Sequence, residues 1–102
     1  MRKLRGRPLV RRLEVVERRE GEETFLIDER NGAIHTLNPV GAAIWGLLAE
    51  PVTMEAIVGR LAEAFPDTRK HEIERHVERL VRRLYGLDLV TVAAEAGKGR
   101  TT

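Results

Sequence analysis

The sequence contains no cysteine and no serine among its 102 residues. Without a thiol there is no disulfide framework, no thiolate nucleophile and no cysteine-based zinc or iron–sulfur site; without a serine hydroxyl a second common nucleophile is missing. Serine and cysteine hydrolases are excluded. Aromatic residues are scarce, with Phe25, Trp45, Phe65 and Tyr85 making the whole set. Long apolar runs are missing too. The longest nearly uncharged stretch, residues 36–49, is too short to span a bilayer and holds Asn38, Pro39 and two glycines. Positive charge at the N-terminus is followed by no apolar segment, so it is not a secretory signal, and the expected compartment is the cytoplasm with no membrane partner. A chain this short buries little more than ~60% of its unfolded surface, which favours one small binding module over an enzyme with a deep cavity.

Acid is absent from residues 1–12, which carry Arg2, Lys3, Arg5, Arg7, Arg11 and Arg12, a local +6 inside a net charge of +2. Residues 13–92 hold 10 basic and 15 acidic side chains, a local −5. This asymmetry predicts a basic flexible N-terminal arm over 1–12, a folded domain over 13–92 and a disordered C-terminal tail over 93–102.

Within the domain, Leu13 to Arg18 is rich in β-branched and apolar residues and predicts strand one, ending at Glu20-Gly21. Thr24 to Asp28 predicts strand two. Asn31-Gly32 is the dipeptide suited to a type I′ hairpin turn, and Ala33 to Leu37 follows as strand three. A sheet this small needs a helical partner. Asn38-Pro39 is a cap followed by proline at the first helical position, so helix one is expected to run to about Glu50, with Trp45 as core filler. Thr53 caps helix two, whose run Ile57, Val58, Leu61, Ala62, Phe65 is stopped at Pro66. Helix three starts near Arg69, has a core stripe of Ile73, Val77, Leu80, Leu84 and Leu87, and is expected to stop at Gly86. The short β-branched stretch Leu87 to Val92 closes the domain. The fold class is α+β: a winged-helix-like arrangement of a three-stranded antiparallel sheet followed by a three-helix bundle, β-β-β-α-α-α.

Few residues suggest chemistry. His71 and His76 lie five apart, about 140° around a helix, where two zinc-binding histidines need a spacing of four. Glu72 and His76 have the right interval but make only two ligands, and His35 is on a strand. Exposed (i, i+4) charge pairs are the plainer reading, and neither a metal nor a cofactor is expected. Gly97-Lys98-Gly99 follows no strand-to-helix turn and is no phosphate cradle. No catalytic residue stands out.

The binding signal is an undefended edge. Strand three, Ala33-Ile34-His35-Thr36-Leu37, has neither charge nor proline to protect unpaired backbone groups. Beside the core stripe of helix three, Val81 and Tyr85 widen the apolar face to one flank, and Lys70, Glu74 and Glu78 line that flank nearer the helix start. If the helix packs beside the edge, the gap accepts an extended peptide as an added strand.

Leu26 to Trp45, taken with a threonine-initiated helix ending at Phe65-Pro66 and a helix closing in Leu84-Tyr85-Gly86-Leu87, resembles the PqqD family. Its most telling pieces are the Asp-x-x-x-Gly turn at Asp28 to Gly32 and Leu37-Asn38 before helix one. The resemblance spans about residues 10–92. It implies a RiPP recognition element, a peptide chaperone without catalysis of its own. It would bind the leader segment of a ribosomally made precursor peptide on strand three, against helix three, and deliver it to a modifying enzyme such as a radical SAM protein or a leader peptidase. Mapped here, the peptide-binding residues would be Ala33, Ile34, His35, Thr36, Leu37, Lys70, Ile73, Glu74, Val77, Val81 and Tyr85. The resemblance does not fix the class of natural product, whether pyrroloquinoline quinone, lasso peptide or another. The edge also permits a homodimer by strand pairing. The alternative is a winged-helix nucleic-acid binder, suggested by Arg75, Arg79, Arg82 and Arg83 and by the basic N-terminus, and opposed by the acidic balance of 13–92.

Overall fold

The computed structural model describes residues 4–95. Its elements run β1 (Leu9–Arg11), β2 (Val15–Glu20), β3 (Glu23–Asp28), β4 (Ala33–Leu37), α1 (Pro39–Leu47), α2 (Met54–Ala64), α3 (Lys70–Gly86) and β5 (Val90–Val92), followed by a 3-10 turn at Ala93–Glu95. The expected three strands are β2, β3 and β4, paired antiparallel in that order and followed by the three helices, which makes the fold α+β. Among the described residues no helix is long and apolar enough to cross a membrane.

The register explains which side chains turn inward. Leu26 faces His35 and Thr24 faces Leu37 across β3 and β4. Thr24, Leu26 and Asp28 are all buried, as the period-2 alternation of a half-covered strand requires. The inner face meets a core of Leu37, Ile44, Trp45, Leu48, Ile57, Leu61, Val77, Val81 and Leu84. Asn38 caps α1 by accepting the Gly41 N–H at 2.7 Å, and Thr53 caps α2 by accepting the Ala56 N–H at 3.1 Å, as their positions before each apolar run predict.

One local expectation gives way. The β3–β4 connection is not a two-residue type I′ turn. Asp28 opposes Ala33 across a four-residue loop, Asn31 is not left-handed, and Gly32 alone takes a positive φ of 76°. The Asp28 carboxylate accepts the Arg30 N–H at 3.0 Å and the Asn31 side chain accepts the Ala33 N–H at 2.9 Å, so side-chain bonds set the loop. Helix α3 does end at Gly86, as expected, but the glycine is not its left-handed cap. The left-handed residue is Asp88 (φ 63°); Leu89 N–H donates to Leu84 at 2.9 Å and Asp88 N–H to Tyr85 at 3.0 Å. This is the double bond of a Schellman cap with aspartate where glycine usually sits.

The flexible arm is the larger correction. Residues 4–12 are built into the fold: Leu4 and Leu9 are fully buried, and β1 pairs antiparallel with β5, Leu9 opposite Val92. Leu9 also exchanges backbone bonds of 2.7 and 2.9 Å with Val52, while Arg11 and Arg12 donate their N–H groups to Leu48 and Leu89 at 2.9 Å each. The charges meet partners too, Arg7 with Glu95, Arg11 with Glu17 and Arg12 with Asp88. A charge count overlooks the reason: Leu4 and Leu9 lie between the arginines, and burying them holds the segment down. The expected tail lies outside the described residues beyond Glu95.

Candidate functional site

The outer edge of β4 is where the sheet ends: β4 pairs with β3 on one side, and among the described residues no strand pairs with the other. Its side chains alternate, with Ile34 and Thr36 exposed and Leu37 buried. An edge of this kind presents a row of N–H and C=O groups to any extended chain.

Beside it runs α3, with a hollow of about 190 Å³ between. Thr36 and Leu37 of β4, Asn38, and Gly41 of α1 form one wall, and His76, Arg79, Leu80 and Arg83 of α3 form the other. Gly41 is there because a Cβ would lie 3.2 Å from the Asn38 Oδ1 and 3.4 Å from Leu37, so its lack of a side chain lets the first turn of α1 close against the strand end. At His76 the hollow meets a second one of about 350 Å³, lined mainly by Val40, Leu61, Phe65 and Ile73.

Of the residues expected in the site, Thr36 and Leu37 line the groove and Ala33, Ile34 and His35 continue the same strand. Ile73 lines the second hollow. The chosen flank of α3 is the other one: Lys70, Glu74 and Val77 line a hollow of about 400 Å³ against Arg5, Met54, Glu55 and Val58, away from β4. Val81 is wholly buried, and half-buried Tyr85 packs against the core. A helical wheel is symmetric about the stripe Ile73–Val77–Val81–Leu84, so which flank meets the strand depends on how the chain packs. His76, Arg79, Leu80 and Arg83 were therefore missed as groove residues, although Arg79 and Arg83 stand out in the sequence as part of a basic face.

The charge of the groove is one-sided. Among the described residues no acidic side chain lines it, and neither Arg79 nor Arg83 has an ion-pair partner. On the opposite flank Arg82 meets Glu78 at 2.6 Å and His71 meets Glu74 at 3.9 Å. Among the described residues no group of three or more His, Asp or Glu side chains is placed to hold a metal ion.

A charged clamp fixes the geometry. Arg30 donates to both oxygens of buried Asp28 at 2.8 Å, and to Asp88 through its carboxylate at 2.9 Å and its carbonyl at 2.6 Å. Arg12 grips the other oxygen of Asp88 at 2.7 Å. The Arg30 bonds hold the Asp28 carboxyl below its ordinary value despite burial. At Asp88 burial pushes upward but the bonds from Arg12 and Arg30 outweigh it, and the net shift is downward. The clamp ties the β3–β4 turn, which leads into β4, to the residues that follow α3, and this is the structural work of the Asp28-x-x-x-Gly32 turn.

The chain resembles the structure of TbiB1 in complex with the TbiA(beta) leader peptide, with 26% identity, a TM-score of 0.70, and coverage of 79% of this chain and 93% of that one. It also shares the fold of a lasso peptide synthetase B1 complexed with the leader peptide, with 19% identity, a TM-score of 0.69, and coverage of 81% and 96%. No curated protein matches the sequence. Residues 23–90 match the family model described as coenzyme PQQ synthesis protein D (PqqD). This match covers two thirds of the chain and runs from β3 through α3 to β5, so the protein belongs to the PqqD family.

Proposed function

We propose that this protein is a non-catalytic peptide chaperone. It binds the leader segment of a ribosomally made precursor peptide as an extra antiparallel strand on β4, in the groove against α3, and presents it to a modifying enzyme. The observation that carries this is the unpaired β4 edge facing an open flank of α3, in a fold shared with two proteins solved with leader peptides. Backbone bonds along β4 supply affinity for any extended chain, and the groove and the hollow beyond His76 supply selectivity. The binding residues are Ala33 to Leu37, with His76, Arg79, Leu80 and Arg83 in place of Lys70, Glu74, Val77, Val81 and Tyr85. The modifying enzyme would be a radical SAM protein, a leader peptidase or another enzyme acting on the same precursor. In the absence of peptide the same edge would accept β4 of a second copy. The nucleic-acid alternative gains nothing from the fold: Arg7, Arg11 and Arg12 are paired with acids of the domain.

Titrating the 15N-labelled protein with the leader half of a short precursor encoded beside it tests the reading. Amides of Ala33–Leu37 and of residues 76–83 should shift together. Binding that leaves the β4 amides in place would refute strand addition.

A further inference from the structure

We infer that the bound segment carries acidic residues at alternating positions, an acid-x-acid pattern read by Arg79 and Arg83 at the rim of the β4–α3 groove; this rests on strand addition at β4. The two guanidiniums are four residues apart on α3, which places them about 6 Å apart along the axis. Alternate residues of an extended strand point to the same side with a repeat of about 6.6 Å. Two carboxylates on one face of a strand lying along α3 therefore meet two guanidiniums on one face of the helix without either backbone bending. Arginine is the suitable residue, because its planar fork binds a carboxylate through two parallel bonds.

The surroundings support the assignment. Arg79 and Arg83 lack an acidic partner among the described residues, while Arg82 and His71, on the far flank, have Glu78 and Glu74. Among the described residues no acidic side chain lines this groove, Glu72 standing in the adjoining hollow, although residues 13–92 carry a net −5. An acidic peptide is thus repelled by most of the domain and attracted in this groove, which penalises binding elsewhere or in a shifted register. Leu37 and Leu80 also line the groove and offer apolar contact to the bound segment.

The experiment selects an mRNA-displayed library of random 14-residue peptides on the full chain, on R79Q/R83Q and on R79E/R83E. Wild type should enrich Asp/Glu-x-Asp/Glu. The glutamine variant should lose that pattern and bind the wild-type winners roughly 3- to 30-fold more weakly, the range for two partly exposed ion pairs. The reversed variant should enrich Lys/Arg-x-Lys/Arg. Both arginines are exposed, so the variants keep the fold, which circular dichroism checks. The winners are then mapped by 15N amide shifts. Winners that perturb β4 but show no acidic pattern, or keep it in R79Q/R83Q, overturn this inference and leave strand addition standing. Acidic winners that leave β4 unperturbed, or a selection that enriches nothing, overturn both.

Discussion

The Arg30 guanidinium holds both oxygens of Asp28 at 2.8 Å while reaching the Asp88 carboxylate at 2.9 Å. Asp28 is only 2% exposed, so removing Arg30 leaves a buried carboxylate without its counter-charge. Arg30→Met should lower Tm by on the order of 10 °C, since breaking one side of a buried pair costs more than the pair contributes. Adding Asp28→Asn should recover part of the loss. With Asp28→Asn alone completing the cycle, losses that simply add in the double variant would show that the two side chains are not energetically coupled.

The same clamp predicts an acid limb. The Asp28 carboxyl is held low by Arg30, and Asp88, though raised by burial, is brought lower overall by Arg12 and Arg30. In the unfolded chain both return towards the ordinary 3.8. Between that value and the depressed folded values the unfolded state binds more protons, so stability rises with pH there. The contribution is complete above the ordinary carboxylate range and is lost as pH falls through the folded values. Urea midpoints measured from pH 6 down to pH 2.5 should fall more steeply for the wild type than for Asp28→Asn; parallel curves would remove Asp28 from the acid limb.

Successive N–H groups along β4 point to opposite edges, one set to β3 and the other to the groove. Proline removes a donor wherever it is placed. Of the neighbouring variants Ile34→Pro and His35→Pro, one should lose a bond to β3 and several degrees of Tm. The other should keep a Tm near the wild type and lose leader binding by at least about tenfold, the equivalent of one or two backbone bonds. If both bind peptide normally while folded, the peptide does not add to β4.

Deleting residues 1–12 removes two fully buried leucines, β1 and the Arg11 and Arg12 ion pairs. A flexible arm would leave Tm unchanged on removal; here thermal unfolding should shift down sharply or cease to be cooperative. Leu9→Ala alone should cost about 2–5 kcal/mol, the usual range for a buried leucine. A deletion variant with the wild-type Tm would restore the arm.

What could be read from the sequence follows from how local the signals are. The hairpin strands, the Asn38 and Thr53 caps and most of the stripe of α3 (Ile73, Val77, Leu84) are set by residues a few positions apart and were legible, whereas Val81 is core where a flank was expected and Leu87 is exposed. The β1–β5 ribbon joins residues some eighty positions apart through three-residue strands, too short for periodicity to mark, and the arginines around Leu9 masked the first of them. The Schellman cap at Asp88 was hidden because aspartate stands where glycine is expected, held by two arginines that are distant in sequence. The open edge of β4 was legible because an edge without charge or proline is a local property. Which flank of α3 lies beside it was not, because the choice between two flanks is made by tertiary packing.

Among the described glycines, Gly41 alone has neighbours within 4 Å of an added Cβ, and it lies in the groove wall. A Cβ there would lie 3.2 Å from the Asn38 Oδ1 that caps α1 and 3.4 Å from Leu37, at the inner wall of the groove. Gly41→Ala gains helix propensity of up to about 1 kcal/mol but crowds the cap, which is itself worth about 1 kcal/mol, so Tm should move by only a few degrees. Gly41→Val adds branched bulk that the wall has no room for. It should displace Asn38 and Leu37 and weaken leader binding by at least about tenfold, a loss seen in calorimetric titration as well as in the amide shifts of Thr36 and Leu37. Wild-type affinity in Gly41→Val would mean that the peptide lies clear of the α1 end of the groove and meets only the Ala33 side of β4.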